Sequence, residues 1–228
     1  MTYITIEKQR YYFRLNAGAQ KNVEAMIFIH GSGGDGSVWE YQFSELSTQH
    51  PVIIPDLPGH GNSEGPLLST AKEYARWLAG AVDSLKLSSF ILVGHSMGGA
   101  IAQEYARWYP EKLTGLILAG TGIRFQIPEE YRRIIQTSFE TAVRTSCDNA
   151  YTLPVSQELY QKGYDMLMRN EKKPLSATWK YVNILTVPTG LSRYNKRHLL
   201  CAEKMIELHR GHFPGNFHLQ CHIVNCQL

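Results

Sequence analysis

This sequence predicts a mostly parallel α/β sheet with helices on both faces, on three observations. Short, continuously apolar runs of strand length recur within residues 23–29, 51–55, 90–93 and 113–119, as strands covered on both faces do. Apolar residues at helical spacing separate these runs, and such alternation implies a parallel sheet with right-handed crossovers. Each run ends in a glycine-rich or turn-rich loop, and open sheets of this kind bind ligands beyond the carboxyl ends of their strands.

Composition agrees with one soluble globular domain: 228 residues, 43% hydrophobic and 19% charged, are enough to bury a sizeable core. A net charge of +3 is too mild to argue for a nucleic-acid partner. No apolar run reaches the length of a membrane span. The N-terminus is charged and alternating, unlike a signal peptide, so the cytoplasm is the expected location. Cys147, Cys201, Cys221 and Cys226 make no disulfide framework for a chain of this size.

Taken in order, residues 3–7 and 10–15 alternate apolar and polar and predict an antiparallel hairpin at the sheet edge. The run ending at Ile29 opens into His30-Gly31-Ser32-Gly33-Gly34. Glycines there let the backbone approach a ligand and aim N–H groups at it. No Gly-Lys-Ser/Thr follows, so this is not a phosphate loop. Val38, Trp39, Phe43 and Leu46 mark the inner face of a short helix. After the strand at 51–55 comes a turn-rich loop, Asp56–Ser63, whose Asp56 and His60 are expected to bind the loop's own backbone. Residues 70–86 predict an amphipathic helix with Thr70 as its N-cap and Tyr74, Trp77, Leu78, Ala81, Val82 and Leu85 turned to the core.

The centre of the pattern is residues 90–99. A buried strand turns directly into a helix at Gly94-His95-Ser96-Met97-Gly98, the G-x-S-x-G elbow in its proper context. So tight a reversal strains the backbone at Ser96 and needs glycines on both sides. It leaves the Ser96 hydroxyl standing above the sheet, with a helix N-terminus behind it. The next strand, 113–119, ends at Gly120-Thr121-Gly122, and residues 128–170 then read as helices without an intervening strand. Inserted there, they form a cap over the carboxyl edge. Their aromatic and Met residues suit an apolar acyl or ring-bearing substrate, and equally plain helix packing.

With His30–Gly34, Asp56–Ser63 and Gly94–Gly99 on successive strand ends, the sequence resembles the α/β-hydrolase fold family, in its esterase- and lipase-like branch. The resemblance is specific over residues 23–122, looser through the cap and poor after about residue 190. It implies Ser96 as nucleophile, an oxyanion hole from the N–H groups of Ser32 and Met97, and substrate contacts at Gly31, Gly33 and His95. It divides the chain into an N-terminal core part (1–122), a cap (123–180) and a divergent or incomplete C-terminal core part (181–228). No cofactor or metal is implied, and the partner expected is a small acyl substrate.

The rest of the triad should follow as acid and then histidine. Val187-Pro188-Thr189 opens the expected acid-bearing strand, but a polar stretch, Ser192–His198, stands in its place. Residues 199–205 resemble that strand's end about ten residues late, with Met205 where the family has aspartate; no aspartate occurs after Asp165. Glu203, Glu207 or no residue at all supplies the acid. His222 best matches the family histidine, ahead of His209, His212 and His218. The cysteines and histidines of this tail match no compact zinc spacing. The expected function is a serine hydrolase of small esters. A catalytically silent ligand-binding relative and a carbon–carbon bond hydrolase are the alternatives.

Overall fold

A computed structural model describes residues 2–16, 23–122, 129–150, 155–170 and 199–202. The described strands form one sheet in the order β1-β2-β4-β3-β5-β6-β7. They are β1 (Thr2–Ile6), β2 (Gln9–Leu15), β3 (Ala25–Ile29), β4 (Val52–Pro55), β5 (Phe90–His95), β6 (Leu113–Ala119) and β7 (Leu199–Ala202). The predicted hairpin β1–β2 is antiparallel, and β2 meets β4 antiparallel. Every pairing from β4 through β3, β5 and β6 to β7 is parallel. The predicted fold class is thus the observed one. Of the residues 199–205 expected to form the end of a late strand, the described ones, 199–202, are β7, set in register against β6 with Ala202 opposite Ala119.

Side chains alternate across the central strands, as a pleat requires. Ile27, Ile29, Leu92, Leu116 and Leu118 join the core on one face, with α2 (Ala71–Ser84) and α3 (Met97–Trp108) over it. Met26, Phe28, Val52, Ile54 and Val93 face the other way, against Trp39 and the partly buried Phe43 and Leu46. Burying one such aliphatic side chain contributes about 1.5–3 kcal/mol, so this two-sided core fixes the sheet on which the loops stand.

Helix α2 begins where its sequence says it should. The Thr70 hydroxyl accepts from the Glu73 N–H at 3.1 Å, and the Glu73 carboxylate accepts from the Thr70 N–H at 3.2 Å. The segment at 36–46 is less regular than the single helix expected. A 3₁₀ turn, Gly36–Trp39, precedes α1 (Glu40–Leu46), because Asp35 caps the turn by accepting from the Ser37 N–H. After β6 the described residues hold three helices, α4 (Glu129–Thr137), α5 (Phe139–Ala150) and α6 (Gln157–Arg169). Among the described residues no helix is long and apolar enough to cross a membrane.

Candidate active site

Only Ser96 separates the end of β5 from the start of α3, and it adopts φ 52°, ψ −118°. A non-glycine residue held there costs about 1–3 kcal/mol. Two close approaches explain why the chain can bend so sharply. A Cβ on Gly94 would stand 2.3 Å from the Gly98 carbonyl oxygen, and one on Gly98 would stand 2.3 Å from that of Ile29. The Ser96 N–H donates to the Ala119 carbonyl at 3.0 Å, which anchors the bend to β6.

Serine is a preferred N-cap, and its hydroxyl ordinarily accepts from the first helical turn. Ser96 occupies the N-cap of α3 yet makes no side-chain cap hydrogen bond. Its hydroxyl is left available.

The loop after β3 passes directly beside this bend. A Cβ on Gly31 would lie 3.3 Å from the Ser96 Cβ and 3.2 Å from His95 Nδ1. The loop closes as a tight turn, in which the Gly34 N–H donates to the Gly31 carbonyl at 3.3 Å and Gly33 takes φ 71°. Met97 is the first residue of α3, where backbone N–H groups have no intrahelical acceptor. Among the described residues, neither the Ser32 nor the Met97 N–H donates to another backbone group. The Ser32 and Thr121 hydroxyls are buried and likewise without a hydrogen-bond partner among the described residues.

His30, which the sequence reading left without a role, braces this loop from below. Its ring is fully buried, with Nδ1 2.8 Å from the Gly31 carbonyl and Nε2 3.0 Å from the Leu57 N–H. Nε2 must accept from that amide, so these partners assign the proton to Nδ1 and the ring is neutral. Burial pushes the His30 pKa down, against the opposing pull of the Asp56 carboxylate. His95 sits half-buried between Gly31 and Gly120, and burial lowers its pKa to about 4. It is a neutral wall of the site at pH 7.

Asp56 and His60 behave as expected of structural residues. Asp56 accepts from the Gly36 N–H at 2.7 Å, the Asn62 N–H at 2.8 Å and the Asn62 side-chain amide at 3.3 Å. It therefore holds its own loop and also the 3₁₀ turn that follows the glycine loop. His60 is buried, with Nδ1 3.1 Å from the Pro58 carbonyl and its ring edge-on to His30.

Above the loops, α6 descends onto the glycine turn. The Met166 Cε lies 3.8 Å from where a Gly34 Cβ would stand, and the Asn170 amide donates to the Gly33 carbonyl. Two of the aromatics in these helices serve helix packing, one of the two uses expected of them. Tyr160 donates to Asp148 at 2.8 Å, and Tyr164 donates to Glu140 at 3.1 Å.

The structure thus gathers Gly31, Ser32, Gly33, His95, Ser96 and Met97 at one sheet edge. Glu203, Glu207 and His222 lie outside the described residues, as do His209, His212, Cys221 and Cys226. The described residues contain no group of three metal-ligating side chains.

Residues 24–177 match the family described as the alpha/beta hydrolase fold. An uncharacterized protein of Mycobacterium tuberculosis is 33% identical over 99 residues, 43% of this chain and 29% of that one. The 2-hydroxy-6-oxo-6-phenylhexa-2,4-dienoate hydrolase of Burkholderia cepacia is 33% identical over 127 residues, 53% of this chain and 44% of that enzyme. The chain spans less than half the length of these two relatives. The enol-lactonase of Burkholderia xenovorans LB400 superposes with a TM-score of 0.71 at 20% identity, covering 82% of this chain and 75% of that one. At that identity the likeness is one of fold.

Proposed function

The chain belongs to the α/β-hydrolase fold family, and on that premise we propose that it is a serine hydrolase of small esters or related acyl compounds, working through an acyl-enzyme on Ser96. The observation that carries this reading is the strained Ser96, whose hydroxyl is not spent on capping α3 while the Gly31 backbone passes beside it.

The chemistry follows from the arrangement. A serine hydroxyl is a weak nucleophile, so an imidazole must accept its proton as Oγ attacks the acyl carbon. That imidazole is assigned to His222. The carbonyl π bond breaks and its electron pair moves to oxygen, which the Ser32 and Met97 N–H groups receive. One such donor is worth about 3–4 kcal/mol of barrier. The N-terminus of α3 adds the positive end of a helix dipole. Collapse of the tetrahedral intermediate breaks the bond to the alkoxy oxygen, which leaves with the proton from the imidazolium. Water, deprotonated by the same imidazole, then releases the acid and restores Ser96. No cofactor enters these steps.

A second reading is supported by the identity to the Burkholderia dienoate hydrolase: the same serine acting on a dienoate substrate. Turnover of p-nitrophenyl acetate and of a 2-hydroxy-6-oxodienoate, measured side by side, separates the two. The serine reading expects Ser96→Ala to abolish turnover of whichever substrate is used, with the circular dichroism spectrum retained. Turnover that survives the change at a comparable rate overturns it. No turnover of either substrate by the unaltered chain would instead favour a silent, ligand-binding relative.

A further inference from the structure

We infer that Asn170 is a positioning residue for the glycine loop, one that couples the cap to the oxyanion donor at Ser32; the inference rests on the serine-hydrolase reading. Asn170 ends α6 and is 5% exposed. Its side-chain nitrogen carries two hydrogens, and both are used. One goes to the Gly33 carbonyl, the other to the Met166 carbonyl at 3.1 Å. Met166 is in the last turn of α6, where carbonyls lack intrahelical partners. A single amide therefore satisfies a helix terminus and grips a loop 137 residues away in sequence.

What it grips matters more than the contact itself. The Gly33–Gly34 peptide is held on both sides, its N–H by the Gly31 carbonyl and its C=O by Asn170. Adjacent glycines, one at φ 71°, have little steric resistance to rotation of the peptide between them. Ser32, the donor residue, sits inside the same four-residue turn. The Gly31–Ser32 peptide that carries the Ser32 N–H is fixed at its carbonyl by His30 and by the Gly34 N–H, and the Gly34 donor keeps its place only while the Gly33–Gly34 peptide is gripped. A preorganised oxyanion donor depends on the direction of that Ser32 N–H.

A second tie runs in parallel. Arg169 reaches Asp35 at 3.4 Å, and Asp35 caps the 3₁₀ turn that follows the glycine loop. Arg169 is 60% exposed, so this pair adds little energy by itself. It confirms the direction of approach: the end of α6 is fastened to both halves of the loop. The cap on this account is part of the loop's support as well as a cover.

The test uses the full 228-residue chain. Asn170→Asp keeps the side chain's shape and removes both donors; Asn170→Ala removes the group. Complete loss of an oxyanion donor costs about 10²–10³ in kcat, so a displaced donor is expected to cost about tenfold. KM for p-nitrophenyl acetate should stay within about twofold, because the loss falls on the transition state. Amide hydrogen exchange over residues 31–38 should quicken in both variants, with the exchange of β5 and α3 unchanged. A loss confined to KM, or wild-type kcat in either folded variant, overturns the inference. If these substitutions fail to fold, Asn170→Ser probes the same attachment more gently, because a serine hydroxyl can still bond back to the Met166 carbonyl four residues earlier while releasing Gly33. Faster loop exchange with a smaller loss of kcat supports the coupling, and loop exchange at the wild-type rate contradicts it. The exchange measurement needs no activity, so it decides the role of Asn170 even if Ser96 proves not to be a nucleophile.

Discussion

The Ser96 N–H donates to the Ala119 carbonyl at 3.0 Å, and Ala119 in turn lies opposite Ala202 in the register of β6 and β7. The bend that presents the serine is thereby tied to the strand whose Ala202 precedes Glu203 in the sequence. Three segments far apart in sequence thus meet at one edge of the sheet.

We propose Glu203 rather than Glu207 as the acid, because it adjoins in sequence Ala202, which the pairing of β6 and β7 brings opposite Ala119. Loss of the orienting carboxylate in a triad can cost about 10⁴ in rate, through loss of the correct imidazole tautomer. We expect Glu203→Gln to lower kcat on an activated ester steeply, His222→Ala to do the same, and Glu207→Gln to leave kcat nearly unchanged. A large loss in the Glu207 variant alone would reassign the acid. Equal, small effects in both glutamate variants would mean that the chain works without one.

Gly98 tests the packing that permits the bend. A Cβ there would stand 2.3 Å from the Ile29 carbonyl oxygen, a backbone atom that cannot step aside. Gly98→Ala is expected to cost about 3 kcal/mol or more in urea unfolding, at the upper end for overpacking. A variant as stable as the parent would show that α3 does not press on β3 in this way.

Acid should weaken the fold through His95. Its pKa falls from 6.5 to about 4 on folding, chiefly through burial. The unfolded chain therefore binds the proton first as pH drops. The contribution of His95 is fully present above pH 6.5 and is lost as pH falls through about 4. Urea midpoints should decline across that window, and His95→Asn should flatten the decline. The fully buried His30 acts in the same direction, so some slope will remain. An unchanged slope in the His95 variant would contradict the assignment.

Much of this was legible in the sequence because it is local. Unbroken apolar runs marked β3, β4 and β5; glycines at 94 and 98 marked the bend; Thr70 with Glu73 marked the start of α2. The 3₁₀ turn at 36–39 was not, because it depends on Asp35 capping and on Asp56 holding the Gly36 N–H across 20 residues. The brace at His30 and the grip of Asn170 on Gly33 escaped for the same reason, their partners lying 27 and 137 residues away. A histidine before a glycine run and an asparagine at a helix end carry no local mark of what they hold.

In the proposed mechanism Ser96 becomes acylated during turnover. Rapid acid quenching of the chain with p-nitrophenyl acetate, followed by peptide mass analysis, tests it most directly. One acetyl group is expected on the peptide containing Ser96, formed and lost at rates that match turnover, and absent in Ser96→Ala. Turnover with no acetyl group on that peptide, or with the acetyl group on another residue, would contradict it.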